Sequence, residues 1–110
     1  MKQRYFYKKN IVKKDFEEIN EYIILRKCKI ENQTFNKKKF INCEFFKNKF
    51  SNTIFKNCVI EKSVFNTVNL NKTFFLNCKF NGVEFSHMEL NNKNFQNCKF
   101  LNISFNLTII

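Results

Sequence analysis

Large apolar residues recur at every fifth position of this chain, from Ile30 to Ile110. A period of five suits neither an amphipathic helix, which needs about 3.6 residues per turn, nor a strand, which needs 2. The repeat therefore predicts a chain that turns a corner once every five residues, so that these side chains share one interior. The repeated positions are Ile30, Phe35, Phe40, Phe45, Phe50, Phe55, Ile60, Phe65, Leu70, Phe75, Phe80, Phe85, Leu90, Phe95, Phe100, Phe105 and Ile110.

The position two residues before each repeated apolar residue predicts a second inward-facing column, since alternate residues of an extended segment point to the same side. These positions are mostly small or apolar and include every cysteine of the chain. Free Cys behaves as a small hydrophobe, so the pattern favours buried, reduced thiols. The odd number of cysteines and the absence of a Cys-x-x-Cys pair argue against a disulfide framework and a zinc knuckle. The cysteines are Cys28, Cys43, Cys58, Cys78 and Cys98.

A longer period of twenty lies within the repeat. Four repeats then make one turn, and residues twenty apart stack as neighbouring strands roughly 4.8 Å apart. Asn57 and Asn77 recur where this arrangement predicts a corner, and Asn tolerates the left-handed backbone that a tight corner needs. The period is visible in the apolar members that are not Phe, most of which differ by multiples of twenty: Ile30, Leu70, Leu90 and Ile110.

Units such as Asn77-Cys78-Lys79-Phe80 and Asn97-Cys98-Lys99-Phe100 resemble the pentapeptide-repeat family. The resemblance covers about three quarters of the chain. It implies an all-β fold, a right-handed quadrilateral parallel β-helix of about four coils over residues 23–110. The residues before the repeat predict a short cap over residues 1–22. Lys38 and Lys93 depart from the family pattern, which has a small residue there. Local bulges at these two positions are expected to bring each ammonium group to solvent, because an unpaired buried charge is costly.

Two alternatives describe the N-terminal cap. Val12, Phe16, Ile19 and Ile23 recur at helical spacing after a candidate N-cap at Asn10, which predicts a short helix covering the first coil. The segment 4–7, with the sequence RYFY, is alternatively a starting strand.

The C-terminal coil is expected to be open, because the apolar pattern continues to the last residues without a polar cap. Members of the pentapeptide-repeat family often dimerise end to end, so the resemblance implies a homodimer through this coil. The candidate contact residues are Phe105, Leu107, Ile109 and Ile110.

Catalytic chemistry is not indicated. The chain has one His, His87, and one Asp, Asp15, and no repeated carboxylate pair. No catalytic, cofactor-binding or metal-ligating residues are predicted, no cofactor is expected, and the cysteine column is interpreted as packing because stacked thiols lack tetrahedral convergence. The sequence favours a protein that is not an enzyme.

The net charge of +11 favours an anionic partner. The alternative is that the charge reflects the base composition of the genome, because A/T-rich codons favour Lys and Asn. Outward positions predict a basic stripe that could hold phosphates, and nucleic-acid binding through it would be non-specific and salt-sensitive. A second surface feature is the pair Ile54 and Phe74, which are predicted to lie one above the other on an outer face. An exposed apolar pair of this kind is a candidate contact for a protein partner. The lysines of the stripe are Lys29, Lys39, Lys49, Lys79 and Lys99.

The function predicted from these features is a non-catalytic module that offers a rigid rod to a protein partner. Docking on nucleic acid or another anionic surface is the alternative. The resemblance also implies a third function, protection of type II topoisomerases such as gyrase by imitation of DNA. This function is disfavoured because a DNA mimic needs a negative surface, and 20 Lys and Arg outnumber 9 Asp and Glu. The absence of a signal-peptide pattern and of eighteen consecutive apolar residues predicts a cytoplasmic protein without a membrane span.

Overall fold

A computed structural model describes residues 3–110 of the chain. These residues form seventeen short strands and two 3₁₀ turns. The strands are β1 Arg4–Tyr7, β2 Asn10–Ile11, β3 Ile19–Glu21, β4 Ile23–Arg26, β5 Lys29–Glu31, β6 Thr34–Asn36, β7 Lys39–Ile41, β8 Glu44–Phe46, β9 Lys49–Lys56, β10 Val59–Glu61, β11 Val64–Asn66, β12 Asn69–Leu76, β13 Lys79–Asn81, β14 Glu84–Ser86, β15 Phe95–Gln96, β16 Lys99–Leu101 and β17 Ser104–Asn106. The 3₁₀ turns are Lys13–Asp15 and Asn92–Asn94.

All of the strand pairs are parallel and join segments one turn apart, so the protein is an all-β parallel solenoid with four faces. The four faces follow one another around each turn. Face 1 is the stack β1-β4-β8-β11-β14-β17, face 2 contains β2, β5 and the first halves of β9 and β12, face 3 contains β6, the second halves of β9 and β12, and β15, and face 4 is the stack β3-β7-β10-β13-β16. Register partners such as Phe65 and Phe85 are twenty residues apart, as the longer sequence period predicts.

The six strands of face 1 enclose about five turns, one more than the sequence predicted. The additional turn comes from the N-terminal segment, where the strand alternative is found and the predicted helix is wrong. Phe6, Ile11 and Phe16 continue the five-residue pattern, and Ile11 and Phe16 are buried. One residue is missing between Phe16 and the next inward position, Asn20, so β1 pairs with β4 at an offset of nineteen. That single shortening concealed the repeat in the sequence.

The interior is filled by the repeated apolar side chains, as the five-residue period predicts. Phe45, Phe65 and Phe85 stack along face 1 with ring centroids 4.6 and 5.4 Å apart and nearly parallel planes. Rings on adjacent faces meet edge to face, as between Phe75 and Phe80, which are 5.2 Å apart. Offset stacks and edge contacts are the favoured aromatic geometries. A Phe-rich interior therefore packs well both along the solenoid axis, through stacks, and across each turn, through edge contacts.

The corners require left-handed backbone, and they use Asn, Lys and a single Gly to obtain it at most positions. Asn57 and Asn77, predicted at a corner, have φ values of 57° and 55°. At Lys93 the expected local bulge is present: the 3₁₀ turn Asn92–Asn94 leaves Lys93 exposed and turns Asn94 inward. The amide of Asn94 then donates to the Thr73 carbonyl oxygen at 2.8 Å. Lys38 lies in an unbulged turn and is half-buried.

Candidate functional site

Titratable side chains do not converge in the described part of the chain: within residues 3–110, no group of three or more His, Cys, Asp and Glu side chains could hold a metal ion. His87 lies exposed at a corner, with its Nδ1 atom 2.9 Å from Ser86 Oγ. Asp15 forms an ion pair with Lys9 at 3.0 Å. The candidate sites are therefore the cysteine column and the outer surfaces.

The cysteine column of face 4 brings Cys58, Cys78 and Cys98 into consecutive turns. The stacking of Cys78 between the other two thiols raises the pKa of Cys78 above its ordinary value. The neighbouring Cys78 thiol lowers the pKa of the half-buried Cys98 to about 7, while the partial burial of Cys98 acts in the opposite direction. Sulfur atoms arranged along a line do not provide the tetrahedral set that zinc requires. The column therefore packs the interior and leaves one acidic thiol, Cys98, near the surface.

The five lysines of the predicted stripe lie in two rows on opposite faces of the solenoid. The row on face 2 contains Lys29 and Lys49, which are register partners, and the row on face 4 contains Lys39, Lys79 and Lys99. Val59 separates Lys39 from Lys79 in the second row, and Lys39 forms an ion pair with Glu61 at 3.4 Å. The structure therefore does not bring the five lysines together, because residues ten apart are half a turn apart.

Ile54 and Phe74 are register partners on the outer surface of face 3, as the twenty-residue period predicts. Both side chains are half-buried, and Leu76 lies beside them on the same face. The three side chains form a small apolar surface.

The N-terminal end of the solenoid is closed by polar contacts. Asn20 occupies the inward position of face 4 in the first turn and is fully buried. Its Oδ1 atom accepts hydrogen bonds from Arg4 at 3.0 Å and from the Glu17 amide at 2.8 Å. Arg4 also donates to the Asp15 carbonyl oxygen at 2.9 Å. These bonds satisfy the polar side chains of the first turn, while β1, β2 and β3 each leave one edge without a partner strand within residues 3–110.

The C-terminal end has an apolar surface instead. Phe105 is 50% exposed, Leu107 74%, Ile109 68% and Ile110 72%. β16 and β17 each form the last strand of their stack, so one edge of each has no partner strand within residues 3–110. The residues predicted for a dimer contact are therefore exposed together at one end of the solenoid.

One surface was missed by the sequence reasoning. The guanidinium carbon of Arg26 lies 4.7 Å from the centre of the Phe46 ring, and Lys47 Nζ lies 5.2 Å from the same centre. Lys8 Nζ lies 5.3 Å from the centre of the Tyr7 ring, and Tyr7 is the register partner of Arg26 in the preceding turn. Aromatic and basic side chains therefore alternate on face 1. The sequence carries this signal at the positions that directly follow the inward residues of face 1, which are Tyr7, Arg26 and Phe46 in successive turns.

A comparison with protein-family models decides the family. The model described as SV2A/B/C luminal domain matches residues 4–105, nearly the whole chain. The protein belongs to the SV2A/B/C luminal domain family. Comparison of this family member with curated proteins finds no match. The matched residues include the N-terminal strands as well as the regular repeats and end within β17, so the family covers nearly all of the turns described above.

The family corrects the predicted location. A cytoplasmic protein was expected, and a match to a family of luminal domains indicates the lumen of a vesicle or the outside of the cell instead. The prediction depended on the absence of a signal-peptide pattern, a weaker indication than a family match that covers nearly the whole chain. Within residues 3–110, no helix has the length and apolar character needed to cross a membrane.

Proposed function

We propose that the protein is a non-catalytic scaffold of the pentapeptide-repeat type, whose last turn binds the last turn of a second copy. The observation that carries the proposal is the contrast between the two ends of the solenoid. The N-terminal end is closed by the buried, fully bonded Asn20, whereas the C-terminal end exposes Phe105, Leu107 and Ile109. Exposed apolar patches with unpaired strand edges mark contact surfaces in proteins.

A two-fold contact suits this end because two identical terminal turns cover each other. Each copy offers the same apolar side chains and the same free strand edges, which is the self-complementarity that a closed dimer requires. The resulting rod is twice as long and presents its outer faces to protein partners. Ile54 and Phe74 on face 3 are the candidate contact for such a partner.

Light scattering over a concentration series tests the dimer. The monomer has a mass of 13.4 kDa, and we expect twice that mass for the unchanged protein. The double variant Leu107→Lys and Ile109→Lys places charges at the contact and is expected to be monomeric at the same concentrations, since like charges would be buried against each other. Ile19→Lys is the matched control, because Ile19 is also an exposed apolar residue, 54% exposed, but lies in the first turn.

The control variant is expected to keep the dimer mass. A monomeric unchanged protein at high concentration would overturn the proposed dimer. A dimer that survives the double variant would overturn the C-terminal contact, and a dimer that the control abolishes would move the contact to the N-terminal end.

A further inference from the structure

The corner between faces 1 and 2 differs from the other three corners in the residues that it uses. In three consecutive turns this corner is Lys8, Lys27 and Lys47, with φ values of 50°, 55° and 53°. Each of their amides donates to the next turn: Lys8 to Arg26, Lys27 to Phe46 and Lys47 to Asn66. The three lysines are therefore stacked along the axis, roughly 4.8 Å from one turn to the next.

Lysine is not the residue that this backbone conformation favours. Asn adopts left-handed backbone more readily, and it forms most of the other corners. At those corners lysine occurs singly, as at Lys62 and Lys72, between turns that use other residues. Three stacked lysines are thus a local departure from the conformational rule, and basic composition alone does not explain it because Asn is as abundant as Lys in this chain.

Further cations flank this corner on both sides. On face 2, Lys29 and Lys49 are register partners and both are exposed. On face 1, Arg26 lies 4.7 Å from the centre of the Phe46 ring, and the corner residue Lys47 lies 5.2 Å from the same centre. We call this set the basic corner: Lys8, Arg26, Lys27, Lys29, Lys47 and Lys49, with Phe46 as its aromatic support.

Carboxylates do not neutralise the basic corner. The ion pairs found among residues 3–110, Lys9 with Asp15 and Lys39 with Glu61, involve none of its cations. Glu31 and Glu44 lie on the flanking faces, and neither forms an ion pair with the corner. Stacked like charges repel each other, so the arrangement is unfavourable in the free protein and becomes favourable when an anion lies along it.

We propose that the basic corner binds a sulfated polysaccharide chain lying along the solenoid axis. A row of cations on a convex ridge fits a linear polyanion, whereas a flat membrane would touch the ridge only along a line. The Phe46 ring is engaged by two cations and the Tyr5 and Tyr7 rings stack on each other, so these rings support charge rather than offering free faces for bases. The luminal family also favours a polyanion found outside the cytoplasm. This inference goes beyond the proposed scaffold and does not depend on the dimer.

Heparin oligosaccharide is the probe, with binding to the full chain measured by fluorescence anisotropy over a salt series. The variant Lys27→Asn with Lys47→Asn is expected to weaken binding about 10-fold or more and to lower the slope of log affinity against log salt by about two. Lys62→Asn with Lys72→Asn is the matched control, since it removes the same charge from the same backbone conformation at other corners. We expect the control to change affinity less than about 2-fold, as for charges outside the contact. Asn suits left-handed backbone, so both variants are expected to fold, which thermal melting verifies.

A second pair of variants tests the aromatic support. Phe46→Leu keeps an apolar side chain but removes the ring beneath Arg26 and Lys47, and we expect heparin affinity to fall about 3-fold, as for loss of a cation–π contact. Phe74→Leu makes the same change on face 3 and is expected to leave affinity unchanged. Equal losses in both lysine variants would mean that binding follows total charge and would overturn the site. Tighter binding of an oligothymidylate or of anionic lipid vesicles than of heparin, or undiminished binding of desulfated heparin, would overturn the proposed ligand.

Discussion

The Sγ atom of Cys78 lies 3.2 Å from the carbonyl oxygen of Phe55, 23 residues earlier in the chain. The same contact recurs one turn later between Cys98 and Phe75, also at 3.2 Å. Hydroxyl groups form it elsewhere, as where Thr108 donates to the Phe85 carbonyl oxygen at 2.9 Å. Thiols and hydroxyls in the second inward column therefore act as donors that join successive turns as well as packing the interior.

This contact predicts that the donor at position 78 matters apart from its volume. Cys78→Thr keeps a donor, whereas Cys78→Val has nearly the same shape as Thr and has none. We expect the Val variant to unfold with a free energy about 1 kcal/mol lower than the Thr variant, the usual net value of one hydrogen bond. Urea denaturation of the two variants measures the difference. Equal stabilities would indicate that the thiol of Cys78 contributes packing alone.

The acidic thiol of Cys98 predicts selective alkylation. Because the neighbouring Cys78 thiol lowers the pKa of Cys98 to about 7, the thiolate fraction of Cys98 rises as the pH rises through 7. We expect iodoacetamide to modify Cys98 at a rate that increases between about pH 6 and 8, as measured by mass spectrometry. The other four cysteines are buried and are expected to react only after unfolding.

Cys78→Val is the informative variant for this reaction, since it removes the neighbouring thiol and should move the rate increase to higher pH. Cys98→Ser is expected to leave no reactive thiol in the folded protein. A rate profile that Cys78→Val does not change would contradict the proposed cause of the low pKa.

The fold was predictable because the five-residue period is a direct consequence of the geometry. From Ile30 to Ile110 every fifth residue is a large apolar side chain, so Phe65 and its relatives record the interior in the sequence. The N-terminal turn was not predictable in the same way. One residue is missing before Asn20, which shifts the five-residue repeat out of register, and the inward position is then occupied by the amide of Asn20 instead of an apolar side chain. Bonds between turns, such as those of Asn20 with Arg4, leave no periodic signal.

The surface sites were predicted less well. Lys29 and Lys39 were grouped because both directly precede an inward residue, but ten residues correspond to half a turn and place them on opposite faces. Ile54 and Phe74 were placed correctly because they differ by twenty. Only residues whose separation is a whole turn can be grouped from the sequence, and the basic corner follows that rule at Lys27 and Lys47.

The Phe stack predicts a large cost for truncation at its centre. Phe65 is buried between Phe45 and Phe85 at 4.6 and 5.4 Å, so Phe65→Ala removes both contacts and leaves a cavity. We expect a loss of about 3–5 kcal/mol in the free energy of unfolding. Phe74→Ala on the outer surface of face 3 is the control and is expected to cost less than half as much. Thermal or urea unfolding compares them, and equal losses would contradict the assignment of Phe65 to the interior.

Gly82 predicts a corner that accepts Asn. Its φ is 69°, and Asn42 and Asn102 occupy the same corner in other turns. A Cβ atom at Gly82 would lie 3.6 Å from Lys62 N, an ordinary contact. We expect Gly82→Asn to leave stability unchanged or to raise it by up to about 1 kcal/mol through the unfolded state. Gly82→Val is expected to lower stability by about 1–2 kcal/mol, because a β-branched residue is strained in left-handed backbone. The two melting temperatures check the order.

Asn20 predicts that restoring the apolar repeat pattern in the first turn destabilises the protein. Its side chain accepts from Arg4 and from the Glu17 amide, and donates to the Glu17 and Lys39 carbonyl oxygens at 2.9 and 3.1 Å. Asn20→Leu leaves these groups without their partners, and we expect a loss of about 3 kcal/mol in the free energy of unfolding.

Ile60→Leu is the control for this change, because Ile60 occupies the same face two turns away and a swap of similar volume usually costs less than about 1.5 kcal/mol. Hydrogen exchange of the β1 amides provides a second measurement. Those amides are expected to lose protection in Asn20→Leu and to keep it in Ile60→Leu, because the polar contacts of Asn20 hold Arg4 at the start of β1. If Asn20→Leu proved as stable as the unchanged protein, the first turn would be closed by apolar packing, and the contrast between the two ends of the solenoid would then lose its physical basis.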